Sequence, residues 1–386
     1  MLKHFRQYLF ALLILSLLVT GCSMSTNNHS PSPSLAPSSL TVLNTSEPTV
    51  EDPSASPTPV ATPSISLPEP KVTPTFDPNT PVGMHGRLNV KETYIVDENE
   101  KPFQLRGVST HGIQWFPSFI NEGCFNTLRD DWKANVIRLA MYTDDNSNYS
   151  GKKEALEDLI REGIELATQS GLYVIVDWHC LSDGNPNTHK DEAIRFFSEI
   201  SFEYQNYPNI IYELCNEPNG TDVTWDNEVR PYCQTLVETI RAIDKQGIII
   251  AGSPTWSQDI HLAAENPLEG ENIMYALHFY ADTHRDSLRK RLVDCITTYK
   301  LPVFVSEFGT CDASGNTNFN QEQAEIWINL LNENNVSWVN WSLCNLKETA
   351  SLLKPFTTAS GNWSDEDLSE SGLYIKNKLL ASNDNK

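Results

Sequence analysis

Eight short runs rich in branched and aromatic residues recur through this 386-residue chain, at 103–108, 136–141, 173–178, 210–214, 247–251, 274–280, 303–307 and 338–342. Runs of that length and composition, bounded by turn residues, predict buried strands. Between them lie stretches of helical periodicity. The clearest spans 152–170, where Ala155, Leu156, Leu159, Ile160, Gly163, Ile164 and Ala167 share one face and Gly171 supplies the stop. Further helices are expected over 190–205, 226–242, 287–299 and 321–334. Eight strands alternating with helices is the count of an α/β fold closed into a (β/α)8 TIM barrel. An open doubly wound sheet would favour a glycine-rich turn after its first strand, and Ser109-Thr110-His111-Gly112 is not one.

Upstream, 88–90 and 94–96 flank polar turns and predict a short N-terminal β-hairpin cap. From Ser23 to Pro81 the composition is Ser, Thr and Pro, too poor in apolar surface to fold, so a disordered tether is expected. Lys3, His4 and Arg6 precede an apolar run too short for a membrane span, ending in Leu18-Val19-Thr20-Gly21-Cys22. That ending resembles a bacterial lipobox; the plainer alternative is an ordinary signal peptide with Cys22 incidental. The expected organisation is a lipoprotein signal peptide over 1–21, a linker over 22–82 starting at a lipidated Cys22, and a barrel over 83–382. An extracytoplasmic protein follows, lipid-anchored at the cell surface or secreted, touching membrane only through that anchor.

A formal net charge of −22 argues against nucleic acid as a partner, whereas a neutral polymer fits it. Several of the nine Trp stand beside turn or polar residues, as a stacking surface or an interface requires. Cys124, Cys180, Cys215, Cys233, Cys295, Cys311 and Cys344 are odd in number and widely spaced, so no disulfide framework is expected. No Cys/His cluster suggests a metal, no cofactor is expected, and nothing signals oligomerisation, so a monomer is expected.

In a barrel, polar residues at the C-terminal strand ends converge on one pocket. Here these are His111 after the first strand, Arg138 and Tyr142 around the second, His179 on the third, and Asn216 and Glu217 on the fourth. Trp256 follows the fifth, His278 and Tyr280 end the sixth, Glu307 the seventh and Trp341 the eighth. Singly, each has an ordinary structural explanation: a satisfied core histidine, a structural ion pair, a solvated turn acid. Their recurrence at one end of all eight strands, with carboxylates on the fourth and seventh, does not. Two facing carboxylates among aromatics suit cleavage of a glycosidic bond, one protonating the leaving oxygen and the other meeting the oxocarbenium charge. Glu307, between apolar Val305 and Phe308, could accept hydrogen bonds from Arg138 and Tyr280 and stay ionised as nucleophile; Glu217, with no obvious cationic partner, is the expected proton donor.

The blocks 107–115, 173–179, 181–187, 210–220, 255–259, 274–280, 305–310 and 339–342 resemble glycoside hydrolase family 5, most closely its bacterial endo-β-1,4-glucanase branch. The likeness runs from about Val82 to Leu380. It implies a (β/α)8 barrel that hydrolyses internal bonds of β-1,4-glucan with retention, Glu217 as acid/base and Glu307 as nucleophile. Arg138, His179, Asn216, His278 and Tyr280 would support them, with Asn216 holding the sugar 2-hydroxyl. His111, Trp115, Phe116, Tyr142, Trp256, Ala313, Trp341, Lys347 and Glu348 would line the sugar subsites.

Two departures stand out. Phe308 follows the nucleophile where the branch has Trp, and Leu346 fills a slot usually held by a sugar-contacting Lys, with Lys347 beside it and Glu348 matching. Mannanase, xylanase, lichenase or xyloglucanase activity on the same barrel is the nearest alternative. An inactive surface glycan-binding lipoprotein is another, opposed by the intact carboxylates.

Overall fold

The computed structural model describes residues 69–381. The expected signal peptide, Cys22 and most of the expected linker lie outside them. Eight parallel strands close into a barrel: β3 (Arg106–Thr110), β4 (Val136–Tyr142), β5 (Tyr173–His179), β6 (Ile210–Glu213), β7 (Ile248–Ala251), β8 (Ile273–Tyr280), β9 (Val303–Gly309) and β10 (Trp338–Leu343), with β10 returning to β3. Two shorter strands, β1 (Asn89–Lys91) and β2 (Tyr94–Val96), form the expected hairpin. The first barrel strand begins three residues later than the sequence suggests. Phe103 instead donates its backbone N–H to Ile95 of the hairpin, and Phe103 and Leu105 pack under the barrel.

Helices Tyr149–Gln169, Lys190–Tyr204, Asp286–Thr297 and Gln321–Glu333 match expectation within a few residues. The one expected over 226–242 starts later, at Arg230, after a π-turn at Trp225–Val229. Among the described helices of six residues or more, three escape the sequence reading: Glu122–Asp130, Ile260–Glu265 and Glu370–Ala381. The first two are too short to display a period, and the third carries its apolar residues around much of its girth. No helix among the described residues is long and apolar enough to cross a membrane.

Strand alternation divides the barrel into concentric layers. Outward residues such as Ile137, Leu139, Val174, Val176, Tyr212, Tyr275 and Val305 join the helices in the main apolar cluster. Inward residues at the N-terminal end, among them Val136, Tyr173, Ile175, Ile211, Ile250, Met274, Phe304 and Val339, form a second cluster, the barrel's base. The hairpin and the preceding segment plug that base. Val82 packs into it, the Tyr173 hydroxyl donates to Gly86 O at 2.6 Å, and Arg87 donates to Tyr207 O at 3.0 Å. The expected linker therefore ends earlier than residue 82: Lys71 already bonds through its backbone N–H to Glu203 O and through its ammonium to Glu165.

Candidate active site

Along four of the strands the inward positions change from apolar at the base to ionisable at the tip. β4 presents Arg138 above Val136, β5 presents Asp177 and His179 above Ile175, β6 presents Glu213 above Ile211, and β8 presents His278 above Ala276. β9 departs from the alternation. Ala276 pairs with Phe304 but His278 pairs with Glu307, so β9 holds one residue more than β8 over that interval, and β10 records the same slip. This bulge lets two neighbours, Ser306 and Glu307, both reach the interior.

Arg138 is the hub. Fully buried, it donates from Nε to Glu213 Oε2 at 2.6 Å, from Nη1 to Glu307 Oε2 at 3.1 Å and from Nη2 to Asn216 Oδ1 at 2.7 Å, with Asp177 Oδ2 2.9 Å from Nη2. Burial pulls the guanidinium's pKa down, but Asp177, Glu213 and Glu307 outweigh it and raise the pKa above its ordinary value. In return Arg138, followed by His278, overcomes the burial penalty on Glu213 and holds that carboxyl down at about 2. Burial still pushes Asp177 well above the carboxylate range, with Glu213 and Glu307 adding to the rise.

The two carboxylates singled out in the sequence face each other. One oxygen of Glu217, one ring nitrogen of His278 and one oxygen of Glu307 lie within 4.8 Å of one another. Glu307 accepts from Arg138 on Oε2 and from the Tyr280 hydroxyl on Oε1 at 2.9 Å. Burial, together with the charge on Glu217, lifts the Glu307 carboxyl to about 7, while His278, Arg138 and Tyr280 pull against that rise. The Tyr280 phenol is itself raised by burial and by both carboxylates, so it stays a donor. Gly309 makes room for this contact, since a Cβ there would stand 2.3 Å from the Tyr280 ring.

Glu217 does have a cationic partner, contrary to the sequence expectation. His278 Nδ1 is 3.0 Å from Glu217 Oε1, and its Nε2 is 2.9 Å from Ser306 Oγ, which donates to Glu213 Oε1 at 2.5 Å. Burial opposes a charge on this ring, but the bonds toward Glu213 and Glu217 raise its pKa to about 9. A cation six strands into the fold was invisible because its partners lie on β6 and β9.

Asn216 is committed rather than free. Its Oδ1 takes the Arg138 bond, and its Nδ2 lies 3.2 Å from His179 Nε2 and 3.3 Å from Cys180 O. His179 is kept neutral by burial and by Arg138; with Nε2 accepting from Asn216, its Nδ1–H donates to Asp177 Oδ2 at 2.6 Å. A sugar hydroxyl reaching Asn216 would displace one of its two long bonds.

The open cleft above, about 270 Å³, is lined by His111, Tyr142, His179, Trp256, Tyr280, Ala313, Trp341 and Glu348 with both carboxylates, all expected, and by Leu181, Ser314 and Gly315, which were not. Trp341 stacks on His179 at 5.3 Å and tilts against His111 at 5.1 Å. Trp115, half exposed, extends this wall edge-on to Tyr142 at 4.8 Å, and Gly112 beneath leaves room for its ring. Phe116 lies behind His111, packed on the core rather than lining the cleft. Leu346 and Lys347 stay off this lining.

Trp256 stands across the cleft on a left-handed turn: Thr255, Trp256 and Ser257 have φ of 57, 54 and 55°. Such residues cost about 1–2 kcal/mol each, and the turn is tied to the acid-bearing segment by Trp256 N–H to Pro218 O and Ser257 Oγ to Asn216 O. Sequence inspection also passed over Asp177, Glu213 and Ser306. The available signal was a charged residue within each of two otherwise apolar strands. The trio Glu217, His278 and Glu307 is the one group among the described residues able to ligate a metal, though hydrogen bonds within the site already use these side chains.

Residues 96–347 match the family model described as cellulase (glycosyl hydrolase family 5). An endoglucanase of Clostridium saccharobutylicum is 45% identical over 301 residues, covering 77% of this chain and 66% of that protein. Endoglucanase N of Pectobacterium atrosepticum is 45% identical over 302 residues, covering 78% and 67%. The chain thus spans about two thirds of the length of these relatives. The catalytic domain of a Thermobifida fusca endoglucanase, solved in complex with cellotetraose, superposes with a TM-score of 0.74 at 37% identity, covering 78% of this chain and 99% of that one.

Proposed function

This chain belongs to glycosyl hydrolase family 5, and from that membership we propose that it is an endo-acting, retaining β-1,4-glucanase. The observation that carries the reading is the short reach between Glu217 and Glu307, whose oxygens approach within 4.8 Å. Retaining enzymes hold their carboxyl groups about 5–5.5 Å apart, whereas inverting ones leave about 6.5–9.5 Å for a water.

In the proposed reaction Glu307 attacks the anomeric carbon while Glu217 gives its proton to the departing glycosidic oxygen. The C–O bond breaks, a glycosyl–Glu307 ester forms, and the aglycone leaves with the proton. Glu217, now a carboxylate, takes a proton from water as that water attacks the ester, restoring both groups. Arg138 and Tyr280 keep Glu307 aimed and favour its ionised form. His278, held by Ser306 and Glu213, meets the negative charge on Glu217 after proton transfer and so positions it. Asn216 can offer the 2-hydroxyl a donor whose bond tightens in the transition state. Lipidation at Cys22 and an extracytoplasmic location, supported by the leader's sequence, are part of the same proposal, as is a monomeric enzyme.

The test is reducing-sugar release from carboxymethyl cellulose beside lichenan, xyloglucan, mannan and xylan, with culture medium and cell envelope assayed separately. Carboxymethyl cellulose should lead, with activity in the envelope fraction. Glu307→Gly should abolish turnover, and azide should restore part of it. Preference for mannan or xylan would overturn the substrate; azide rescue of a Glu217 variant alone would exchange the two roles.

A further inference from the structure

The loop after β10 carries a side chain that no role above uses. Phe356 is 98% exposed, more than any other large apolar residue among the exposed ones described. It occupies the third position of the turn Lys354-Pro355-Phe356-Thr357, closed by Thr357 N–H to Lys354 O at 3.2 Å. Proline at the second position and a φ of 71° at Phe356 describe a type II turn, whose third position suits glycine. A bulky residue there is disfavoured in backbone energy, and full exposure denies its ring any compensating burial. Strain of this kind points outward, toward something the ring meets.

The turn is held rigidly. Lys354 N–H donates to Asp367 O at 2.9 Å, Leu353 bridges Leu368, and Asn345, two residues past β10, donates to Thr357 O at 2.8 Å. Just downstream, Ala359 O accepts from Asn121 Nδ2 at 2.6 Å, and Asn121 belongs to the loop after β3. Phe356 is thus fastened at the catalytic end, in the same loop as Glu348 and tied through Ala359 to the loop that bears Trp115. This is the nucleophile's side of the cleft, because the loop leaves β10, which pairs with the Glu307-bearing strand β9.

We propose that Phe356 is an outer sugar platform, extending the Trp341–His111–Trp115 wall so that the glycone end of a long β-glucan chain stacks on it. The inference rests on the β-1,4-glucanase reading. Its ligand is a glucan chain that overreaches the cleft, and its effect is on chain-length preference rather than on bond cleavage.

Phe356→Gly separates ring from backbone, because glycine fits the turn and folding is not at risk. Initial rates are measured on cellotriose through cellohexaose and on carboxymethyl cellulose, with Phe356→Tyr alongside. Phe356→Gly should melt higher than the parent and match it on the shortest substrates. On the longest, kcat/KM should fall about three- to tenfold, through KM rather than kcat, the size expected for exposing one ring face. Phe356→Tyr should keep parental values. Equal rates at every length, or an equal loss at every length, would overturn the proposal. If the parent itself hydrolyses no β-glucan, the glucanase reading fails first and the platform falls with it, a result visible without any variant.

Discussion

Val136 and Arg138 stand two residues apart on one strand, as do Ile175 and Asp177, Ile211 and Glu213, Ala276 and His278. The first of each pair lies in hydrocarbon and the second in a net of charges. The base of the barrel is held by burial and shape, which no single residue dominates. The tip is held by one guanidinium among three acids, where removing any member strands the others in a medium that cannot solvate them. The difference teaches that fold and function draw on the same strands but not on the same free energy.

The largest test of that division compares Phe304→Ala with Arg138→Leu. Phe304 is fully buried in the base cluster, so its truncation should cost about 3–5 kcal/mol in a urea melt. Arg138→Leu leaves buried carboxylates unpaired and should cost a similar about 3–5 kcal/mol. Activity per folded molecule should separate them: nearly unchanged for Phe304→Ala, lower by orders of magnitude for Arg138→Leu. A deep activity loss in Phe304→Ala would erase the distinction.

A middle-sized effect lies in pH. His278 holds its proton to about 9 in the fold against an ordinary 6.5, so its stabilisation is complete below 6.5 and lost as pH rises through 9. Glu307, raised from 4.5 to about 7, likewise favours the fold below 4.5 and loses that contribution by 7. Glu213, lowered from 4.5 to about 2, works oppositely: its contribution is present above 4.5 and lost as pH falls through 2. The melting temperature should therefore peak in mild acid. Glu307→Gln should flatten the limb up to 7, whereas Phe304→Ala should lower the whole curve without reshaping it; a reshaped curve in Phe304→Ala would count against the division.

The smallest effect belongs to the rim. Leu346→Lys restores a donor beside Glu348, worth on the order of 1 kcal/mol on longer cellooligosaccharides and nothing in melting temperature. Unchanged kinetics at every length would show that the slot has no role in this protein.

Much of this was legible in advance, for a physical reason. Strand–helix rhythm records which faces are buried, and a carboxylate at a strand tip records where the strand stops, so the barrel, Glu217 and Glu307 could be read. What stayed hidden depends on backbone geometry or on partners distant in sequence. Nothing local announces that Thr255, Trp256 and Ser257 turn left-handed, that Asn216 spends its amide on Arg138, or that His278 answers to Glu213 through Ser306. The early end of the linker was missed because Lys71 and Phe76 find their partners only once the base exists to receive them.

The bulge in β9 has a consequence of its own. A strand is read by its neighbours in steps of two, and β9 changes its reading frame between Phe304 and Glu307. Deleting one residue there would leave every other motif of the sequence legible. It would restore a regular strand in which His278 still pairs with Glu307, and would remove Ser306 or turn it out toward the helices. The pocket depends on that single frameshift to receive both the hydroxyl that orients His278 and the carboxylate that faces Glu217.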